Sequence, residues 1–195
     1  MLPDLRSALR PALVLTLLFT LLLGLAYPLA LTGIGQALFP YQANGSLVRE
    51  DGRVIGSALI GQAFASDRYF HGRPSAAGAN GYDAAASAGS NLGPASKALA
   101  ERVRNDAQGL AALAPGRPVP PDLVTTSASG LDPHVSPEAA FYQVDRVAKA
   151  RGLPAEQVRE LVRRQIEYPL LGFIGEPRVN ILALNRALDR ESKGN

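Results

Sequence analysis

Charged and apolar positions are distributed along this chain with a sharp asymmetry. From Ala12 to Leu31 there is no charge, and ten of the twenty residues are leucine. A helix of that length spans roughly 30 Å, the thickness of a bilayer's hydrocarbon core. At about −0.3 to −0.6 kcal/mol per central leucine, the leucines alone favour insertion by roughly 3 to 6 kcal/mol. The stretch is therefore predicted to span a membrane, with apolar character continuing to about residue 39. Tyr27 suits the water interface, Pro28 is expected to kink or end the helix, and Thr32 to Phe39 to form the mouth of the span or a surface turn. A cleaved signal peptide would have a shorter apolar core, although Gly24-Leu25-Ala26 offers a weak cleavage site. A buried core helix would not carry leucine on every side.

Beyond the span the pattern changes to short periodic segments separated by glycine and proline. Val48, Val54, Ile55, Leu59 and Ile60 flank Asp51-Gly52, a hairpin signal over residues 46–61 because Asp-Gly supplies the positive φ angles of a type I′ turn. Residues 77–89, mostly Ala, Gly, Ser and Asn, have too little apolar bulk to pack alone. They form either a loop held down by other elements or a surface awaiting a partner. Ser90 or Asn91 is expected to cap a helix with Pro94 in its first turn, the stripe Leu99, Val103 and Leu110, and an end at Gly109. Leu123 to Thr126 is predicted as a short strand. Ser136 caps a helix with Pro137 at its first position, Glu138 beside its positive end, and Ala140, Val144, Val147 and Ala148 inward, ending at Gly152. Pro154 starts another helix, with Val158, Leu161, Val162 and Ile166 inward, Glu160 and Arg164 paired outside, and Pro169 as its stop. Pro177 is expected to open a last helix carrying Ile181, Leu184 and Leu188. The expected fold class is α+β: one transmembrane helix, then one exported domain with a small β-sheet or hairpin and about four helices.

Charge sets the orientation. Arg6 and Arg10 precede the span and the next charge is Arg49. The positive-inside rule leaves residues 1–11 in the cytoplasm and residues 40–195 outside, in the periplasm or its equivalent. Without Asp4, Arg6 and Arg10 the chain keeps 18 basic and 16 acidic residues, with no basic run beyond Arg163-Arg164, which argues against nucleic-acid binding. The absence of cysteine permits export without arguing for it.

Catalytic signals are thin. There are two histidines, His71 and His134, no cysteine, no glycine-serine elbow and no phosphate-cradling loop. Ser127 or Ser129 with Asp132 and His134 has the residue types of a triad. Residues this close in sequence rarely present its geometry, and a hydrogen-bonded loop capping a helix is the simpler reading. Arg73-Pro74-Ser75 and Asn80-Gly81-Tyr82-Asp83 line either a partner interface or an ordinary loop. Gln143 sits at the edge of an apolar helix face, where an amide bonded to backbone is the simplest reading.

Five blocks then carry a resemblance. Residues 57–62 (Ser-Ala-Leu-Ile-Gly-Gln), 69–76 (Tyr-Phe-His-Gly-Arg-Pro-Ser-Ala) and 89–94 (Gly-Ser-Asn-Leu-Gly-Pro) resemble the C subunit of the Kdp-type potassium-transporting ATPase. So do residues 122–140, which include Thr-Ser-Ala-Ser-Gly-Leu-Asp-Pro-His, and residues 175–182 (Gly-Glu-Pro-Arg-Val-Asn-Ile-Leu). The resemblance implies a non-catalytic accessory subunit of an ATP-driven potassium uptake complex in a bacterial inner membrane. Its implied partners are a channel-like potassium-binding subunit, a P-type ATPase subunit and a very small membrane subunit, in a complex using ATP, Mg and K ions. The family's C subunit is described as stabilising the assembly and as a catalytic chaperone raising ATP affinity, and the family's nucleotide contact falls on Gln143. The candidate interface residues are Tyr69, Arg73, Asn80, Tyr82, Asn91, Asp132 and His134. No cofactor or metal site is expected on the chain itself. Because the charge flanks put Gln143 outside, an exported cap on the potassium-binding subunit is the preferred role. A membrane-anchored binding module of an unrelated complex, and a secreted hydrolase built on Asp132 and His134, are the competing readings.

Overall fold

The computed structural model describes residues 2–193, which fall into two units divided between Leu47 and Val48. In the first, α1 (Leu2–Leu21) and α2 (Tyr27–Leu38) are joined without a break by a π-helical stretch, Leu22–Ala26. Of the two outcomes expected at Pro28, a kink or an end, the end does not occur. Proline lacks an N–H and its ring crowds the carbonyl four residues back. The turn before it widens, so that the Tyr27 amide reaches the Leu22 carbonyl, and the helix continues through Pro28 and the expected mouth to Leu38. The segment Arg6–Leu38 is 33 residues long and none of it is buried. At about 50 Å it is long and apolar enough to cross a membrane. A short helix α3 (Pro40–Ala43) follows.

The second unit is α+β. Its hairpin forms as predicted: β1 (Leu47–Glu50) and β2 (Arg53–Ser57) are joined through Asp51 at φ 48° and Gly52 at φ 77°. β2 is shorter than expected, because Ser57 Oγ accepts the Leu59 amide at 3.2 Å and turns the chain. The core is built elsewhere, on an antiparallel sheet of order β3-β5-β4. It comprises β3 (His134–Val135), β4 (Ile166–Glu167) and β5 (Arg178–Asn180). Val179 in the middle pairs with both Val135 and Ile166. Helices α5 (Pro137–Arg151), α6 (Ala155–Arg164) and α7 (Ile181–Lys193) bury Val144, Val147, Val158, Leu161, Val162, Leu184 and Leu188 with it. The predicted caps of α5 hold: Ser136 Oγ accepts from the Ala139 amide at 3.2 Å, and Gly152 closes the helix at φ 69°.

Six local expectations are corrected. Leu123 to Thr126 is not a strand: Pro121 fixes a 3₁₀ turn over Pro121–Leu123, and its carbonyl accepts the Val124 and Thr125 amides. Helix α4 (Lys97–Leu113) is capped by Ser96, not by Ser90 or Asn91, so Pro94 lies outside it. It also runs through Gly109, which faces open space, and Leu110 beyond it packs on the core. Helix α6 stops at Arg164, before Pro169, because Ile166 enters the sheet. Glu160 pairs there with Arg163 at 3.1 Å, whereas Arg164 reaches Glu191 at 2.9 Å. Pro177 opens a strand, and Asn180 is the residue that caps α7, its Oδ1 accepting the Ala183 amide at 3.0 Å.

The Ala-Gly-Ser loop is held down. Ser129 O accepts the Ala88 amide at 2.9 Å and Ser87 Oγ at 3.0 Å, and Ser75 Oγ donates to Gly130 O at 2.6 Å. Gly130 has φ 66°, and a Cβ there would meet Ala88 O at 2.5 Å and Ala77 N at 2.8 Å. Gly130→Ala is therefore expected to cost about 2 kcal/mol, because both the strained φ and the contact with fixed backbone oppose it. Thermal unfolding of the full chain in detergent measures this.

Candidate functional site

The site is organised by an extended segment, Tyr69 to Ala76, that belongs to neither sheet. Backbone amides and carbonyls buried without a ladder must find other partners, and here two side-chain amides provide them. Asn185 of α7 accepts the Phe70 N–H at 2.8 Å and donates to the Phe70 carbonyl at 3.0 Å. Gln143 of α5 does the same for His71, at 2.8 and 3.0 Å. Each amide imitates the edge of a neighbouring strand. Phe70 is thereby pinned with its ring fully buried. Arg146, one turn beyond Gln143, donates to the Asp67 and Tyr69 carbonyls at 2.8 and 3.0 Å and to Gln143 Oε1 at 2.7 Å.

Further along the segment, Arg73 ties two loops together. Its guanidinium donates to Thr125 O, Thr125 Oγ1 and Asp132 Oδ2, each at 3.3 Å. Tyr82, at φ 58°, donates its hydroxyl to the Arg73 carbonyl, and its own amide donates to Ser75 Oγ at 2.7 Å. Asp132 Oδ1 accepts the His134 amide at 3.0 Å and lies 3.6 Å from His134 Nδ1. The hydrogen bond from His134 holds the Asp132 carboxyl below the usual range. Burial opposes this, and the Arg73 charge reinforces it. Burial pushes the Tyr82 phenol up, with the Asp132 charge adding to it.

Two clefts flank the segment. The larger, about 560 Å³, runs between α4 and residues 63–74 and has Arg73, Tyr82, Gln143 and Arg146 in its wall. The smaller, about 390 Å³, is lined by Arg73, Asp132, His134 and Arg178 among others. Of the sequence candidates, Arg73, Tyr82 and Gln143 thus meet in one cleft, and Arg73, Asp132 and His134 in the other. Tyr69, Asn80 and Asn91 line neither. Tyr69 donates its hydroxyl to Asp189 at 3.2 Å and lies under the Arg151 guanidinium. Asn80 and Asn91 are exposed on loops. Arg146 and Asn185 were not among the candidates. Asn185 interrupts the apolar stripe Ile181, Leu184, Leu188, and an interruption alone does not tell what the amide serves.

Several side chains in these clefts are committed to bracing neighbouring backbone. Gln143 is 4% exposed, and its amide is committed to His71, to Ala139 O at 3.2 Å and to Arg146. Ser127 and Ser129 face each other at 3.3 Å, and Ser129 Oγ also accepts the Leu131 amide at 3.1 Å. Among the described residues neither serine is hydrogen-bonded to His134, so the triad types do not assemble into a nucleophile and base. No group of three His, Asp or Glu among the described residues is placed to hold a metal ion.

His71 gives this site a pH dependence. Burial holds its imidazole below the ordinary value, and the nearby Arg146 charge presses the same way, against the Ser66 carbonyl and Asp67. The unfolded chain then binds the extra proton first, so stability falls as pH drops through about 6.5 and levels off below the folded value. In melts taken from pH 8 downward, His71→Asn should lose about that limb of the profile while retaining the acid limb near pH 4.

Comparison with known proteins places these features in a family context. The family model described as KdpC, the c chain of the K+-transporting ATPase, matches residues 9–190. A relative in Caulobacter vibrioides is 64% identical over 184 residues, covering 94% of this chain and 93% of its own. Relatives in Methylobacterium nodulans and Bradyrhizobium diazoefficiens are each 60% identical over 192 residues, covering 93% of this chain and 96% of their own. All three are named potassium-transporting ATPase KdpC subunits.

Proposed function

Since the chain belongs to the KdpC family of potassium-transporting ATPase subunits, we propose that it is the membrane-anchored accessory subunit of an ATP-driven potassium uptake complex, holding its folded domain outside the cytoplasm. The observation that carries this reading is the uncovered helix Arg6–Leu38. So much exposed leucine is tolerable only in lipid or against other membrane helices. Arg6 and Arg10 lie on one side of it, and no further charge occurs before Arg49. That asymmetry favours a cytoplasmic amino terminus and a periplasmic or extracellular domain, and the anchor of such an uptake complex then lies in a bacterial inner membrane.

The domain then acts as a cap stabilising the channel-like potassium-binding subunit together with the P-type ATPase subunit and the very small membrane subunit. Hydrolysis belongs to the ATPase subunit. Any gain in ATP affinity reaches that subunit through the assembly, because on this topology the folded domain lies across the membrane from cytosolic ATP. Gln143 serves as a brace for His71, and an effect of its substitution on nucleotide affinity arises through the cap's stability.

Two measurements test this. A tag on the carboxyl terminus, with extraction in mild detergent, should bring down a polytopic subunit and a P-type ATPase with potassium-stimulated ATPase activity; the chain arriving alone would favour an anchored binding module. The chain has no cysteine, so Gln108→Cys, at an exposed position of α4, gives a single label site. An impermeant maleimide should react with it in intact spheroplasts. Reaction only after permeabilisation would overturn the orientation.

A further inference from the structure

The β4–β5 hairpin ends in an apolar tip that nothing covers among the described residues. Tyr168 is 75% exposed, Leu170 69%, Leu171 74%, Phe173 76% and Ile174 53%, and residues 168–175 carry no charge. A soluble domain has no reason to gather its most exposed large side chains at one tip. At the hairpin's base Arg178 Nε donates to Glu167 Oε2 at 2.9 Å, so the change from charged to uncharged surface is abrupt.

We propose that this tip inserts into the headgroup and acyl boundary of the bilayer that the amino-terminal helix crosses. Three observations favour lipid over a protein groove. Leu170 and Ile174 face each other across an isolated antiparallel bridge, and Leu171 at φ 55° and Gly172 at φ 80° turn the chain between them. The large side chains of the bridge residues and of the turn between them are all apolar and all more than half exposed, as a surrounding apolar medium would demand. The tip also satisfies much of its own backbone: the Gly172 amide donates to Pro169 O and the Ile174 amide to Leu170 O, both at 3.0 Å, and Pro169 has no amide to lose. Unpaired backbone is what lipid penalises most. The remaining groups reach the headgroup layer, where Tyr168, next to the charged base, has the amphipathic ring that membrane interfaces favour. Lastly, the short chain between Leu38 and Leu47 tethers the domain, holding its attachment point within roughly 30 Å of the helix end. That tether gives the tip a high effective concentration at the surface and lets a small apolar area suffice. The inference rests on the proposed bilayer anchor and not on the ATPase partners.

The chain contains no tryptophan, so Phe173→Trp makes a unique reporter at an exposed position that packing does not restrict. The full-length variant is reconstituted in phosphatidylcholine liposomes with and without acyl-brominated lipid, alone and within the purified complex. Flotation with the liposomes reports the anchor separately. Tip insertion predicts blue-shifted emission and strong quenching by the brominated lipid in both preparations, with Leu113→Trp, on α4, water-like and unquenched. Water-like emission from floated Phe173→Trp would overturn the proposal, as would equal quenching of both reporters. Blue-shifted emission in the complex that brominated lipid does not quench would overturn it in favour of a protein contact.

Discussion

Asn185→Leu is expected to destabilise the second unit by about 3 kcal/mol, because it leaves the Phe70 N–H and carbonyl without partners in a dry core. Leucine nearly conserves the volume, so little of the loss comes from a cavity. Asn185 is 1% exposed, and no water replaces its two bonds of 2.8 and 3.0 Å. Gln143→Leu makes the same deletion at His71, where the two bonds are only part-buried and water compensates in part, and about 2 kcal/mol is expected. Arg146 also loses its bond to Gln143 Oε1. Asn185→Asp keeps an acceptor for the Phe70 amide and loses the donor, so it should fall between leucine and wild type. The double leucine variant should lose less than the sum, because the two amides hold adjacent residues of one segment and the second has less to hold once the first is gone. Denaturant unfolding of the full chain in detergent provides all four values. If Asn185→Leu lay within about 0.5 kcal/mol of wild type, the segment would be held by something other than these amides.

This clamp also explains which parts of the fold were legible in the sequence. The long apolar helix, the Asp-Gly hairpin and helices α5 and α6 carry local signals: charge-free length, positive-φ residues at a turn, Ser-Pro-Glu at a cap and glycine at an end. The β3-β5-β4 sheet carries none. Its strands are two or three residues long, too short for alternation to register, and its registry pairs His134 with Asn180 across 46 positions. Pro177 carried a helix-start signal that the structure uses to enter β5, and Ser90 and Asn91 preceded a better cap at Ser96. Within the site, Arg73, Tyr82, Asp132, His134 and Gln143 stood out as polar residues in loops or at a helix edge. Arg146 and Asn185 did not, because a helical arginine looks like solvent-facing charge and an asparagine inside an apolar stripe looks like an interruption. Both are polar groups serving the backbone of a segment more than 70 residues away, and such long-range satisfaction leaves no local pattern.

Arg73 links that segment to the loops around the second cleft, and Arg73→Met should cost about 2 kcal/mol. Methionine keeps much of the stem's packing and removes the fork that serves Thr125 and Asp132. The figure is held down by exposure: the Arg73 and Asp132 side chains are 24% and 28% accessible, so water recovers part of each lost bond. Lysine preserves the charge without the fork, so Arg73→Lys should regain the electrostatic part alone. The Asp132 carboxyl lies below its unfolded value, so the unfolded state binds its proton first on acidification. The stability it contributes is complete above about pH 4 and is lost as pH falls through the folded value. His134, the larger cause of that depression, remains in Arg73→Met, so the acid limb should shrink there and nearly vanish in Asp132→Asn. A double-mutant cycle between Arg73→Met and Asp132→Asn should give a coupling of about 1 kcal/mol above pH 5 that disappears on acidification. A coupling near zero at every pH would mean that Arg73 holds these loops through the Thr125 oxygens alone. The carboxylate would then be His134's partner only, and the two clefts would be joined by backbone rather than by charge.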